Sequence, residues 1–267
     1  MILKKLNEKK EKKVMYKKYN LYPLALEHLI GARLHIGHLY SVTDKKINSY
    51  ALGIQDKVFI FDLEKSWFFL RSFYHILSWN AFKRVSFFMV ATNKNIPNQF
   101  IGERLNSKLV RNKTQNNFKF LDMIGFIHGK WIGGILSNWN IVYNFIKMIK
   151  KKKKKNVISK RHSRIFKNLQ GVWSRNYHPS FPDIILSIDG NYELIREAGN
   201  IKAPLMGLID SNVRPLSYVV GFLGNDDSLD SIEFFFFFIE DALKEGRKKE
   251  QEIFYYMLLL KIKNLIL

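Results

Sequence analysis

The chain predicts an α/β fold, a parallel β-sheet covered by helices. Three observations predict it. Two short runs, Lys57 to Leu63 (KVFIFDL) and Val85 to Ala91 (VSFFMVA), are almost wholly apolar, as strands buried on both faces of a central parallel sheet are. Past Pro182, strand-like and helix-like segments alternate, the order that βαβ units produce. A length of 267 residues with 47% hydrophobic content allows a sizeable core in one or two domains.

Taken in order, Met1 to Tyr19 is a lysine-rich arm, solvated when free. Tyr22 to Leu34 reads as a short helix leading into His35-Ile36-Gly37-His38. Histidines three apart could share a helix face and ligate a metal, but a third ligand at suitable spacing is missing, so a turn with hydrogen-bonding histidines is the expectation. Between the two apolar runs, Glu64 to Trp79 has helical spacing through Trp67, Leu70, Tyr74, Ile76 and Leu77. Thr92 to Asn117 is polar without a clear period, and Phe118 to Ile127 holds another strand candidate.

Next comes the least ordinary stretch, Lys130 to Trp139 (KWIGGILSNW), where Trp131 and Trp139 bracket Gly133-Gly134 and Ser137-Asn138. The glycines allow backbone to approach backbone or phosphate without a Cβ in the way. Ile132, Ile135, Leu136 and Trp139 recur at helical spacing, which predicts a helix start packed on a sheet and continuing through Tyr143 and Phe145 to Met148. Lys130 stands at its entrance as a phosphate-seeking charge.

Beyond Pro182 the spacing predicts a strand over Asp183 to Ile188 and a helix over Tyr192 to Ala198 with Gly199 as C-cap. Strands follow over Pro204 to Ile209 and Tyr218 to Phe222. Asp227 or Ser228 then caps a long helix through Lys249, with continuation into the apolar tail as the alternative end. The predicted organisation is a basic arm at 1–26, a single α/β domain at 27–249 with a basic insertion at about 147–180, and an apolar extension at 250–267.

The charge is unusual: 44 basic against 23 acidic residues, a net +21. Such an excess repels itself in a compact monomer and is tolerated beside a polyanion, first nucleic acid and second a membrane surface. Its densest part comprises Lys147, Lys150, Lys151, Lys152, Lys153, Lys154, Lys155, Lys160, Arg161, Arg164, Lys167 and Arg175, with Trp173, Tyr177 and His178 interleaved. Cations mixed with rings suit RNA, whose bases stack on rings and guanidinium planes; a plain solvated face is the simpler alternative.

Absent motifs narrow the chemistry. There is no cysteine, so no disulfide, thiolate zinc site or thiol nucleophile. No G-x-x-x-x-G-K-[ST], G-x-G-x-x-G or G-x-S-x-G occurs. Asp189, Asp210, Asp226 and Asp227 fall near predicted strand ends, where open α/β sheets bind ligands. They read either as magnesium ligands or bases of an enzyme acting on an anionic substrate, or as turn and cap residues. No uninterrupted apolar run reaches about 18 residues; the tail Ile253 to Leu267 is broken by Lys261 and Lys263. Stable membrane insertion is therefore not expected. An Arg- and Ser-rich presequence is not evident in the first 40 residues either.

In order, these segments resemble one family, the universal small-subunit ribosomal protein S2 family. LHIGH at Leu34 to His38 is similar to its early H-x-G-H element (His35, Gly37, His38), and Tyr50, Gly53 and KVFIFDLEKS to its first strand. KWIGGILSNW (Lys130, Trp131, Gly133, Gly134, Asn138, Trp139) resembles its signature. PDIILSID, REAGNIKAPLMGLIDSN (with Asp210) and GFLGNDDS (with Asn225 and Asp226) resemble its C-terminal half. The likeness spans about Glu27 to Arg247.

It implies a Rossmann-like or flavodoxin-like parallel sheet with an inserted helical hairpin. It also implies a structural role in the ribosomal small subunit against its rRNA and neighbouring proteins, with no cofactor, metal, small-molecule substrate or catalysis. Departures are Arg33 at a family glycine, Thr43-Asp44-Lys45 for a Trp-Asn-Pro, and a shortened, more basic insertion. With the abundance of Lys, Asn, Ile and Phe, these resemble an organelle-encoded member, mitochondrial first and plastid second.

Overall fold

The computed structural model describes residues 21–92, 124–154, 159, 169 and 181–266; residues 21–25, 128, 150, 152–154, 216 and 256–266 are described by backbone alone. Its centre is a five-stranded, fully parallel sheet of β4 (Phe87–Ala91), β5 (Ile124–His128), β6 (Ile184–Ser187), β7 (Leu205–Ile209) and β8 (Val220–Leu223), in the order β5-β4-β6-β7-β8. That is the flavodoxin-type order, with a topological switch point between β4 and β6. A second sheet is antiparallel and three-stranded, β1 (Ile36–Leu39), β3 (Val58–Phe61) and β2 (Ala51–Gln55), with β3 in the middle.

Successive residues of the parallel strands serve opposite faces, because the pleat has period two. Phe87, Met89 and Ala91 of β4 face a core shared with α1 (Leu21–Gly31), α2 (Leu63–Phe82) and α5 (Leu229–Ile266). Phe88 and Val90 face the other core, with α3 (Trp139–Lys154), α4 (Tyr192–Asn200) and the buried Phe59 and Phe61 of β3. The doubly covered β4 (FFMVA) is accordingly buried at all five residues.

Several expectations need correction. KVFIFDL is not a strand of the central sheet. Its β3 alternates half-buried and buried positions because only one face of the small sheet meets the core. The H-x-G-H segment is partly strand: β1 holds Gly37 and His38, and a Cβ on Gly37 would lie 2.8 Å from Ser211 Oγ and 3.2 Å from the Phe59 carbonyl.

Gly199 is not the C-cap of α4, which runs on to Asn200. Lys202 takes the left-handed turn at φ 55°, with Ala203 N–H donating to the Ala198 carbonyl at 3.0 Å. The same closure ends α1 at Arg33 (φ 57°, Leu34 N–H to the Leu29 carbonyl, 3.1 Å) and α2 at Arg84 (φ 61°, Val85 N–H to the Asn80 carbonyl, 3.0 Å). These are Schellman-type ends, where glycine is usual.

α5 is one helix through Ile266, so it continues past Lys249 into the apolar tail. It runs parallel to α2: Phe73 meets Phe235 and Phe238, Tyr74 donates to Asp241 and Glu245, and Arg84 pairs with Glu250. Among the described residues no helix is long and apolar enough to cross a membrane.

Candidate nucleic-acid interface and the carboxylate cluster at the sheet edge

The signature stretch is a loop, not a helix start; α3 begins only at Trp139. Two features keep it from coiling earlier. Gly134 sits at φ +89°, where an L side chain is strained. Glu197 of α4 takes the N–H of Gly134 (3.1 Å) and both the N–H (2.8 Å) and hydroxyl (3.0 Å) of Ser137. Trp131, Ile135, Leu136 and Trp139 are buried, while Lys130, Gly133, Ser137 and Asn138 are exposed. The tryptophans anchor, and the tip between them faces solvent.

Helix α3 then buries Trp139, Ile146 and Ile149 and exposes Asn140, Asn144, Lys147 and Lys151, one stripe at i, i+4, i+7 and i+11. Residues 123–182 contain thirteen Lys or Arg and no Asp or Glu, so no acid within this segment can quench the stripe. The last turns of α3 hold Lys150, Lys152, Lys153 and Lys154, where the helix dipole favours cations. Lys155, Arg161, Arg164 and Arg175 lie outside the described residues.

A second grouping forms where the parallel strands end. His38 Nδ1 lies 3.2 Å from Asp210 Oδ1, and Nε2 lies 3.3 Å from Asp227 Oδ2. Asp210 is fully buried and also accepts the N–H of Ser211 and of Asp226 (2.9 Å); Asp226 accepts the N–H of Gly190 at 3.2 Å. His38 N–H donates to Ser211 Oγ at 2.8 Å.

The hydrogen bond to Asp210 is the largest influence on the His38 pKa, and with the nearby carboxylates it outweighs burial, raising it to about 9. Burial, then the Asp210 charge, pushes Asp226 up to about 8. The imidazolium thus offsets charge that the buried carboxylates could not otherwise hold. The ligand atoms of His38, Asp210 and Asp226 lie within 4.8 Å of one another, a nitrogen-and-oxygen set that a divalent ion such as zinc accepts.

At the switch point the side chains of Thr92, Asp189 and Asn191 hydrogen-bond one another. Asp189 accepts the Thr92 N–H at 3.0 Å and the Thr92 hydroxyl, and Asn191 Nδ2 donates to Thr92 Oγ1 at 2.8 Å. Burial raises the Asp189 pKa. Thr92 and Asp189 are thus buried against each other at the edge where other doubly wound sheets bind nucleotides.

The strand-end rule therefore located Asp189, Asp210, Asp226 and Asp227, and the structure brings the last three to His38. Glu197 and Ser211 were missed. Glu197 did leave a signal: it shares the buried stripe of α4 with Leu194 and Ala198, where a carboxylate needs partners.

The family model for ribosomal protein S2 matches residues 29–246. The chain belongs to the ribosomal protein S2 family. It is similar to the small ribosomal subunit protein uS2 of Chlamydia caviae, 28% identical over 229 residues, covering 79% of this chain and 76% of that one. The uS2 of Aeromonas salmonicida is 24% identical and covers 79% and 87%. That of Wolbachia pipientis is 26% identical and covers 81% and 79%. The S2 family is one of ribosomal proteins, not of enzymes. The carboxylate cluster in this S2 chain accordingly ties β1 to the ends of β7 and β8 rather than acting on a substrate.

Proposed function

We propose that this chain is a structural constituent of the mitochondrial small ribosomal subunit, holding small-subunit rRNA and neighbouring ribosomal proteins. The S2 family match across residues 29–246 carries the reading. The acid-free basic segment beside the signature loop supports rRNA as the partner, since lysines and arginines gain by displacing the counterions of phosphates. Lys130, Lys150 to Lys155, Arg161, Arg164 and Arg175 make the phosphate contacts, and Trp131, Gly133, Gly134, Asn138 and Trp139 hold the backbone that presents them. The mitochondrial assignment rests on the Lys-, Asn-, Ile- and Phe-rich composition and the reduced insertion, with the plastid as its alternative. No small-molecule substrate or cofactor is part of the role.

The test is sedimentation of mitochondrial, plastid and cytosolic lysates, each through a sucrose gradient at moderate salt, with the chain followed by antibody. It is expected in the small-subunit peak of the mitochondrial lysate. Recovery at the top of the gradient refutes the ribosomal role; recovery with small subunits of another compartment refutes only the mitochondrial part.

A further inference from the structure

On the opposite layer from α3, a cleft of about 400 Å³ opens between α2 and α5, lined by His75, Ile76, Ser78, Trp79, Phe82 and Lys249. Trp79 is 57% exposed, which is unusual for so large an apolar surface without a partner. Its ring stacks on Phe82, with centroids 5.4 Å apart and planes 22° apart, and the Lys83 ammonium lies 5.1 Å from its centroid.

The local charge is one-sided. From Lys65 to Ser86 the chain has no Asp or Glu. The acids that α5 brings nearby are already engaged: Glu245 with Lys249 and Tyr74, Glu250 with Arg84 and Arg247. Lys83 makes no ion pair among the described residues.

We infer that this cleft binds an unpaired nucleotide of RNA, its base stacked on Trp79 and its phosphate on Lys83. A largely exposed ring with a cation free of ion pairs over its face, and with the local acids already engaged, is an arrangement single-stranded RNA can use, each base offering a π-face and each linkage a negative charge. Lys83 is a mobile cover: the base takes its place over the ring, and the ammonium, at the end of a four-carbon stem, moves to the phosphate. The chain would then hold RNA on both layers of its sheet. This goes beyond the ribosomal reading and can fail without it.

Two measurements test it. The purified full chain is titrated with oligouridylate and oligoadenylate while tryptophan fluorescence is followed, for the wild type, Trp79→Phe, Trp79→Leu and Lys83→Glu. All three substitutions are at exposed positions, equal urea midpoints check that the fold is kept, and Lys83→Glu is expected to weaken binding about tenfold. Quenching is expected, retained by Trp79→Phe as affinity measured by filter binding, and weakened about tenfold by Trp79→Leu, which keeps apolar area but removes the π-face. Equal affinity for Phe and Leu variants overturns stacking.

In intact small subunits, ultraviolet crosslinking is expected to leave a nucleotide on the peptide holding Trp79 to Lys83. A chain that sediments with small subunits but carries a protein crosslink there and no nucleotide overturns the inference and leaves the ribosomal role standing.

Discussion

His38 is the residue on which most charge converges, with a carboxylate at each ring nitrogen. Its folded pKa, about 9, exceeds the ordinary value of about 6.5. The stabilisation it provides is therefore complete below pH about 6.5 and lost as pH rises through about 9. Asp226 acts in the same direction: the folded chain keeps up to about pH 8 a proton that the unfolded chain releases near about pH 4. Wild-type stability should fall between neutral pH and pH about 9. His38→Gln should cost about 2 kcal/mol at pH about 6.5, discounted from a fully buried pair because the imidazole is partly exposed. It should also flatten the slope above that pH. Urea unfolding at several pH values checks this; parallel wild-type and variant profiles would sink the charge argument.

Glu197 makes the same point with hydrogen bonds. Glu197→Ala removes the acceptor for Gly134 and Ser137, and about 2–3 kcal/mol of stability should go with it, read as a lower urea midpoint. The stripe of α4 marks Glu197 as a carboxylate in need of partners, but neither residue's partners were legible from its neighbours in sequence. Asp210 lies 172 positions after His38 and Glu197 lies 63 after Gly134, so only the assembled sheet edge reveals the pairings.

At the scale of elements, the helix ends show what periodicity leaves out. The spacing located α2, α4 and the start of α5 to within a few residues, because buried stripes impose the 3.6-residue period. It misplaced the end of α4, since Lys202 rather than a glycine makes the left-handed turn. Lys202 is exposed and Arg33 and Arg84 stand at the equivalent ends. A cation there is favoured by the helix dipole, which partly offsets the steric cost of the left-handed backbone. Lys202→Gly should accordingly raise stability modestly, by about 0.5 kcal/mol, seen as a melting temperature about 1–2 °C higher. A lower melting temperature would show that the dipole term outweighs the strain.

The small sheet was half legible. β3 announced itself by its β-branched and aromatic run, but β2 exposes Leu52 at 74% and Ile54 at 54% and carries no period to find. Close packing is equally silent in sequence: a Cβ on Gly246 would stand 2.1 Å from the Ser78 carbonyl. Gly246→Val should push α5 off α2 and cost about 3 kcal/mol; a variant as stable as wild type would mean that the two helices part easily.

At the scale of the molecule, rigidity and charge are divided between segments. The two cores make the sheet and its helices one body, and in the α3 layer Trp131 and Trp139 bolt the signature loop to it. The net +21 is concentrated where that body hands over to the lysine-rich end of α3. An interface of this kind gains free energy by releasing counterions, so it need not be shape-specific to be strong.

The consequence is quantitative. Binding of the isolated chain to small-subunit rRNA should weaken steeply between about 50 and 200 mM salt, and each lysine that contacts a phosphate should contribute about 0.7–0.9 to the slope of log affinity against log salt. Lys147 and Lys151 lie one turn apart on the exposed stripe, so Lys147→Ala with Lys151→Ala should lower the slope by about 1.5 while leaving the urea midpoint unchanged. Trp131→Ala should do the reverse. Its ring is 3% exposed, and removing it should cost about 3–5 kcal/mol of stability while the salt slope of the protein that remains folded stays near wild type. A lysine pair that changes stability but not slope, or a Trp131→Ala protein that folds normally yet loses RNA, would mean that anchoring and phosphate contact are not divided in this way.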